Sequence, residues 1–322
     1  MTSSPGARSA VSLFDRVRTG CAAVAERARF VTIDSDGVHR LASTLPSGEP
    51  DLLPEERTAT PGDEEAVAAE VLAWNAVNFG SGWFPQLRKR PALSGARTLA
   101  SAFADHVRTS GAPTAEQLAG ADVAWCAAVF EQPQPGPVDG LLDLFARAWR
   151  DLGDLLLRDH GGSAAALVRS AGGSAERLAA TLGAMPLAHD ETRYGELDVA
   201  FYKRAQITVS HLSRALGGEG LGRFDDGDRL TAFADNLVPH TLRMAGALRY
   251  DPRLAERIDR QELLAPGEPV EVEIRACGLH AVELLAEQTG TPPAALDHHL
   301  WQRGQDPSVK AVPRHRCRCT WY

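Results

Sequence analysis

From Val138 to Arg158 the apolar residues Leu141, Phe145, Trp149, Leu152 and Leu156 recur every three or four positions. They form one stripe on a helix about six turns long, and that stripe must face a core. The glycine pairs Gly161-Gly162 and Gly172-Gly173 terminate successive helices. From about Thr114 to Leu182 helix follows helix through short connections, and nothing in this region carries chemistry. A chain with such a middle third is built on helices. Strand-like runs are few, the clearest being Phe30-Val31-Thr32-Ile33 before a turn at Asp34-Ser35-Asp36-Gly37. The fold class expected is mainly α, with a few short strands.

Length and charge set limits. At 322 residues and 44% hydrophobic content the chain can bury a substantial core, read as a single domain over 10–322 behind a Ser/Pro/Gly-rich, disordered 1–9. A net charge of −8 and a pI near 5.7 argue against a broad footprint for nucleic acid, so no direct nucleic-acid binding is expected. Five scattered cysteines do not make a disulfide framework, and Cys317-x-Cys319 has too few partners for a zinc site. No secretory h-region and no run of membrane-span length is evident, which points to the cytoplasm.

Further helices are expected at 10–28 and, after a Pro/Glu/Asp/Thr-rich loop at 45–63, from Asp63 to Asn78. The chemistry-bearing residues gather elsewhere. Leu230 to Arg243 reads as a helical run whose apolar arc takes in Leu230, Phe233, Ala234, Leu237, Val238 and Thr241, with Asp235 at its edge. Pro239 inside that run would free the Asp235 carbonyl. The turn Asp225-Asp226-Gly227-Asp228 offers N-caps for it. A carboxylate beside an interrupted helix suits either a local cap or catalysis. Val199 to Ile207 is expected to open a helix bearing Lys203, Arg204 and Gln206. Val270 to Ala276 alternates briefly before continuing as a helix, with Glu273 and Arg275 as a default ion-pair set. The end of the chain, Arg314-His315-Arg316-Cys317-Arg318-Cys319-Thr320-Trp321-Tyr322, alternates like a docked strand.

Six of these segments, in order, carry a family resemblance. Asn78-Phe79-Gly80-Ser81-Gly82-Trp83-Phe84-Pro85, Phe201-Tyr202-Lys203-Arg204-Ala205-Gln206, Leu230-Thr231-Ala232-Phe233-Ala234-Asp235, Glu271-Val272-Glu273-Ile274-Arg275-Ala276, Leu300-Trp301 and Arg314-His315-Arg316 closely resemble the queuosine salvage proteins. The resemblance spans about residue 30 to the terminus. It implies an all-helical fold related to DNA glycosylases. It also implies hydrolysis of the N-glycosidic bond of queuosine 5′-monophosphate, giving queuine and ribose 5-phosphate, with Asp235 as the catalytic carboxylate.

That chemistry assigns further roles. Phe233, Trp83 and Trp301 offer faces for a flat base. Lys203 and Arg204, then His240 and Arg314, offer cations for the 5′-phosphate; alternatively Lys203 pairs with Asp235 and orients it. Asp297 suits the cationic arm of the base, and Tyr202, Asn236 and Glu273 complete the expected substrate contacts. No metal or cofactor is called for. The resemblance is incomplete: residues 48–63 lack a histidine that relatives carry, Asn236 and His240 stand where many have Tyr and Gln, and Gln302 replaces an acid. Another modified purine nucleotide as substrate, or binding without cleavage, are the alternatives.

Overall fold

A computed structural model describes residues 11–51 and 62–322. The expectation for residues 1–9, and most of the loop expected at 45–63, lie outside the described residues. The first helices are α1 (Leu13–Ala25), α2 (Ser35–Ala42), α3 (Glu64–Ala76), α4 (Gly95–Ser110), α5 (Ala115–Ala119), α6 (Val123–Val129), α7 (Asp139–His160), α8 (Ala164–Ser170) and α9 (Ala175–Gly183). After them come α10 (Lys203–Ala215), α11 (Val238–Met244), α12 (Pro252–Asp259), α13 (Pro269–Thr289), α14 (Pro293–Arg303) and α15 (Pro307–Lys310). Among the described residues six short strands pair in twos. β1 (Val31–Ile33) runs antiparallel to β4 (Leu248–Tyr250), β2 (Glu191–Tyr194) forms a hairpin with β3 (Leu197–Ala200), and β5 (Leu263–Leu264) runs parallel to β6 (Arg316–Cys317). The protein is mainly helical.

The long helix read from its stripe is α7. Leu141, Phe145, Trp149, Leu152 and Leu156 are all buried, and Gly161 ends the helix in the left-handed region at φ 61°. Trp149 Nε1 donates to the Ala73 carbonyl at 2.9 Å, tying α7 to α3. Asp63 caps α3 by accepting from Glu65 and Ala66 N–H. The central element is α13, buried without a break from Val270 to Leu279. It is surrounded on all sides, so its sequence lacks an amphipathic period, and the alternation over 270–276 is an accident of a buried helix rather than a strand.

Four local expectations are corrected. Residues 230–237 are irregular and α11 begins only at Val238, with Pro239 in its first turn, where a missing N–H leaves nothing unbonded. Gly278 of α13 makes that docking possible, since a Cβ there would lie 2.8 Å from Pro239 Cγ. Val199 and Ala200 belong to the β2–β3 hairpin; the chain enters α10 only at Lys203, through Tyr202 at φ 51°. Asp34 is the N-cap of α2, accepting from Gly37 N–H at 2.6 Å, so the turn expected at 34–37 continues as a helix. Asp226 caps a different helix: it accepts from Ser174 Oγ and from the N–H of Ala175 and Glu176, at the start of α9.

Candidate active site

Residues 230–237 lie among buried neighbours without the hydrogen bonds of a helix, so their backbone is satisfied from outside. Thr231 N–H donates to Gln206 Oε1 at 3.0 Å, and Phe233 N–H donates to Asp297 Oδ2 at 2.9 Å. The Ala234 carbonyl accepts from Arg275 Nε at 3.0 Å. Asp235 serves the next two amides itself, Oδ1 accepting from Leu237 and Val238 N–H, each at 2.8 Å. Oδ2 takes no hydrogen bond from any described residue. The carboxylate is thus both the local cap of α11 and a wall of a cavity of about 160 Å³.

Arg275 sets the position of this loop. It is fully buried and grips Asp190 through two parallel bonds of 2.9 and 2.7 Å, while the Phe201 ring lies 3.9 Å below its guanidinium. Asp190 Oδ2 in turn accepts from the Lys203 N–H at 3.1 Å. One guanidinium therefore holds the peptide before Asp235 and, through Asp190, the first residue of α10. The Glu273–Arg275 pairing expected from spacing does not form; Arg275 faces Glu271 at 3.7 Å.

Lys203 points its ammonium into the same cavity and donates to the Asn78 carbonyl at 3.0 Å. Among the described residues it closes no ion pair with Asp235, yet Asp235 is the strongest charge favouring its protonated form. Burial lowers its pKa to about 8, with Asp235 and Asp297 opposing the shift. Burial raises Asp235, against the two amides and Lys203. Asp297 is raised well above the ordinary carboxylate range, first by burial and then by the negative charge of Asp235. Two carboxylates with one ammonium between their fields titrate together, and Asp297 is pushed further toward its protonated form than Asp235.

Asp235, Lys203, Phe233, Asn236, Asp297, Trp301 and Arg314 all line the cavity. Five other sequence candidates do not. Trp83 is buried beside the Arg318 guanidinium, 5.4 Å from its ring centre. Tyr202 donates its hydroxyl to Glu191 at 2.6 Å. Arg204 is turned away and spends its guanidinium on the Ala76 and Leu187 carbonyls, above the Phe79 ring. His240 bonds the Val309 carbonyl at 2.9 Å through Nε2. Glu273 accepts three backbone amides, those of Arg29, Phe30 and Val31, and the Tyr194 hydroxyl. Each is engaged by other parts of the protein. Gln302 lies outside as well, donating to the Asp51 carbonyl at 2.7 Å.

Sequence reasoning missed Asn75, His211, His298 and Tyr322, which also line the cavity. His211 lies eight residues after Lys203, on the same helical face, and that spacing was a usable signal. Tyr322 enters the sequence pattern only as part of the docked end of the chain. Its carbonyl accepts from Gly80 and Ser81 N–H at 2.9 and 3.4 Å, and its hydroxyl donates to Glu271 at 3.0 Å, fixing that end against the cavity wall.

Comparison with known proteins gives this geometry a context. Residues 64–322 match the family described as Queuosine salvage protein. The queuosine 5′-phosphate N-glycosylase/hydrolase of Sphaerobacter thermophilus is 35% identical over 314 residues, covering 93% of this chain and 95% of the relative. The mouse protein of the same name is 30% identical over 328 residues, covering 93% and 96%. With a family match over most of its length and relatives aligned nearly end to end, this chain belongs to the queuosine salvage protein family.

Proposed function

We propose that this protein hydrolyses the N-glycosidic bond of queuosine 5′-phosphate, the activity for which its relatives are named, releasing queuine and ribose 5-phosphate. The observation that carries the reading is Asp235: one oxygen pinned by two amides, the other without a hydrogen-bond partner among the described residues, in the wall of a cavity it shares with Lys203 and Asp297.

Breaking the bond from C1′ to the base nitrogen builds positive charge on the ribose. A fixed, ionised carboxylate stabilises that charge and accepts the proton of the attacking water. Lys203 and a proton on Asp297 keep Asp235 in its anionic form, since two uncompensated carboxylates in this setting would not both ionise. The departing pair of electrons goes to the base. A 7-deazapurine has no basic N7 to protonate, so its leaving is eased by hydrogen bonds at other ring atoms.

Phe233 and Trp301 supply apolar faces for the base. Arg314 takes the 5′-phosphate in this reading: it lines the cavity, its Nε has no hydrogen-bond partner among the described residues, and Asp235 acts on its charge. Lys203, held at the Asn78 carbonyl and acting on both acids, serves Asp235 rather than the phosphate. The net charge of −8 supports a free nucleotide as substrate in place of nucleic acid. Five free, buried cysteines suit the reducing cytoplasm. Among the described residues no helix is long and apolar enough to cross a membrane. The mainly helical body with a catalytic aspartate at a helix start supports kinship with the helical DNA glycosylases. Incubation of purified protein with queuosine 5′-monophosphate tests the reading: free queuine is expected, and an intact nucleotide refutes it.

A further inference from the structure

The cavity continues beyond its acidic end. Lys203, Ile207 and His211 stand at i, i+4 and i+8 of α10, and all three line it. One helical face thus carries the wall about 12 Å from Lys203 to His211. That is more than the span of a purine ring system, so His211 stands at the end of the cavity away from the scissile bond.

Its neighbours hold His211 in one tautomer. The Asn75 side-chain nitrogen donates to the Val71 carbonyl at 3.0 Å, and the Asn75 oxygen accepts from Asn78 Nδ2 at 3.2 Å, which fixes the orientation of the amide. The same Asn75 nitrogen lies 3.2 Å from His211 Nδ1. An amide nitrogen only donates, so Nδ1 accepts and the proton of the neutral ring sits on Nε2. Burial first, then Arg214 and Lys203, push the imidazole down to about 3, so the ring stays neutral. Nε2 has no partner among the described residues. His298, anchored through Nε2 to Ser210 Oγ at 3.0 Å, stacks on His211 with ring centres 5.9 Å apart and meets Phe233 edge-on at 5.5 Å. The donor is therefore preset in direction as well as in kind.

We propose that His211 is a specificity-determining residue: its fixed Nε2–H donates a hydrogen bond to a neutral oxygen at the distal end of the substrate. This rests on the nucleotide reading above. Two oxygens have the required chemistry, the 6-carbonyl of the 7-deazaguanine base and a hydroxyl of the cyclopentenediol arm. An amino group presented there meets donor with donor and is disfavoured.

The test measures calorimetric binding in an Asp235→Asn background, so that ligand is not consumed. The probes are queuosine 5′-monophosphate, 7-deazaguanosine 5′-monophosphate, which lacks the arm, and 7-deazaadenosine 5′-monophosphate, which lacks both arm and carbonyl. His211→Met is expected to weaken the first by about tenfold, and His211→Gln, whose amide reaches the same place, to restore most of the loss. A loss with queuosine 5′-monophosphate alone assigns the arm. A loss shared with the deazaguanosine but not the deazaadenosine nucleotide assigns the carbonyl. An equal loss on all three, or none, overturns the proposal. If His211→Met does not fold, His211→Phe removes the same donor. Failure of every nucleotide to bind with His211 intact instead overturns the nucleotide reading and this inference with it.

Discussion

Replacing Asp190 by Asn keeps the shape of the side chain and removes its charge. Arg275 is fully buried and Asp190 nearly so, and the pair is joined by two charge-assisted bonds of 2.9 and 2.7 Å. After the change the guanidinium keeps, among the described residues, only Glu271, at 3.7 Å, as an acidic neighbour. Breaking one side of a buried pair costs about 3–5 kcal/mol. With ~2.1 cal/mol/K per residue, a chain of 322 residues has an unfolding entropy near 0.7 kcal/mol/K, so about 4 kcal/mol lowers Tm by about 6 °C. The same pair fixes the peptide before Asp235 and the first residue of α10, so the spacing of Asp235 and Lys203 loosens as well. A misplacement on the order of 1 Å costs about a hundredfold in rate. The assay pairs differential scanning calorimetry with steady-state release of base. The account expects a Tm fall of about that size and a kcat fall of ten- to a hundredfold, with KM changed far less. Asp159→Asn serves as the control: its ion pair with Arg158 is exposed, and its loss is expected to leave both Tm and kcat at the wild-type values. Wild-type Tm and kcat in Asp190→Asn would refute the reasoning.

Lys203 gives a pH signature. Its pKa falls to about 8 from an ordinary 10.5, so between those values the unfolded chain holds a proton that the native protein has released. Stability is therefore lowest below pH 8 and rises through that window, by roughly 3 kcal/mol at most; urea midpoints of wild type minus those of Lys203→Met should show the rise, and parallel curves would contradict it. Arg314→Gln should raise KM for queuosine 5′-monophosphate by about ten- to a hundredfold while leaving the unphosphorylated nucleoside unaffected; an equal effect on both would move the phosphate elsewhere. Glu273→Leu orphans three backbone amides at about 1–3 kcal/mol each, so thermal unfolding should fall sharply while kcat of the folded fraction holds; a changed kcat at wild-type stability would return Glu273 to the substrate.

Much of the helical scaffold was legible because α3 and α7 carry their own signals, an Asp63 cap in one and a single apolar stripe closed by Gly161 in the other. The periodicity of residues 230–237 misled for a physical reason. All but Asp235 are buried, so apolar spacing there reports enclosure rather than a helical face. Their backbone bonds go to Gln206, Asp297 and Arg275, partners that no local pattern reveals. The same enclosure hid α13. Motifs placed the wall of the cavity but not which side chains face it: Asn78, Phe79, Ser81 and Phe84 line it while Trp83 between them does not. Arg204 and Tyr202 flank Lys203 in sequence and are rotated away by the helix that begins there. Asp235 caps the start of α11 through Oδ1, as the local reading expects, and the proposed catalytic role falls to Oδ2, which has no hydrogen-bond partner among the described residues.

The most direct test is the turnover of Asp235→Asn. The amide keeps an oxygen for the Leu237 and Val238 N–H groups, so the start of α11 survives and the change acts on charge alone. The account expects kcat for release of queuine from queuosine 5′-monophosphate to drop by about a thousandfold, with Tm within a few degrees of wild type and the nucleotide still bound. Release at the wild-type rate by a folded Asp235→Asn protein would contradict it.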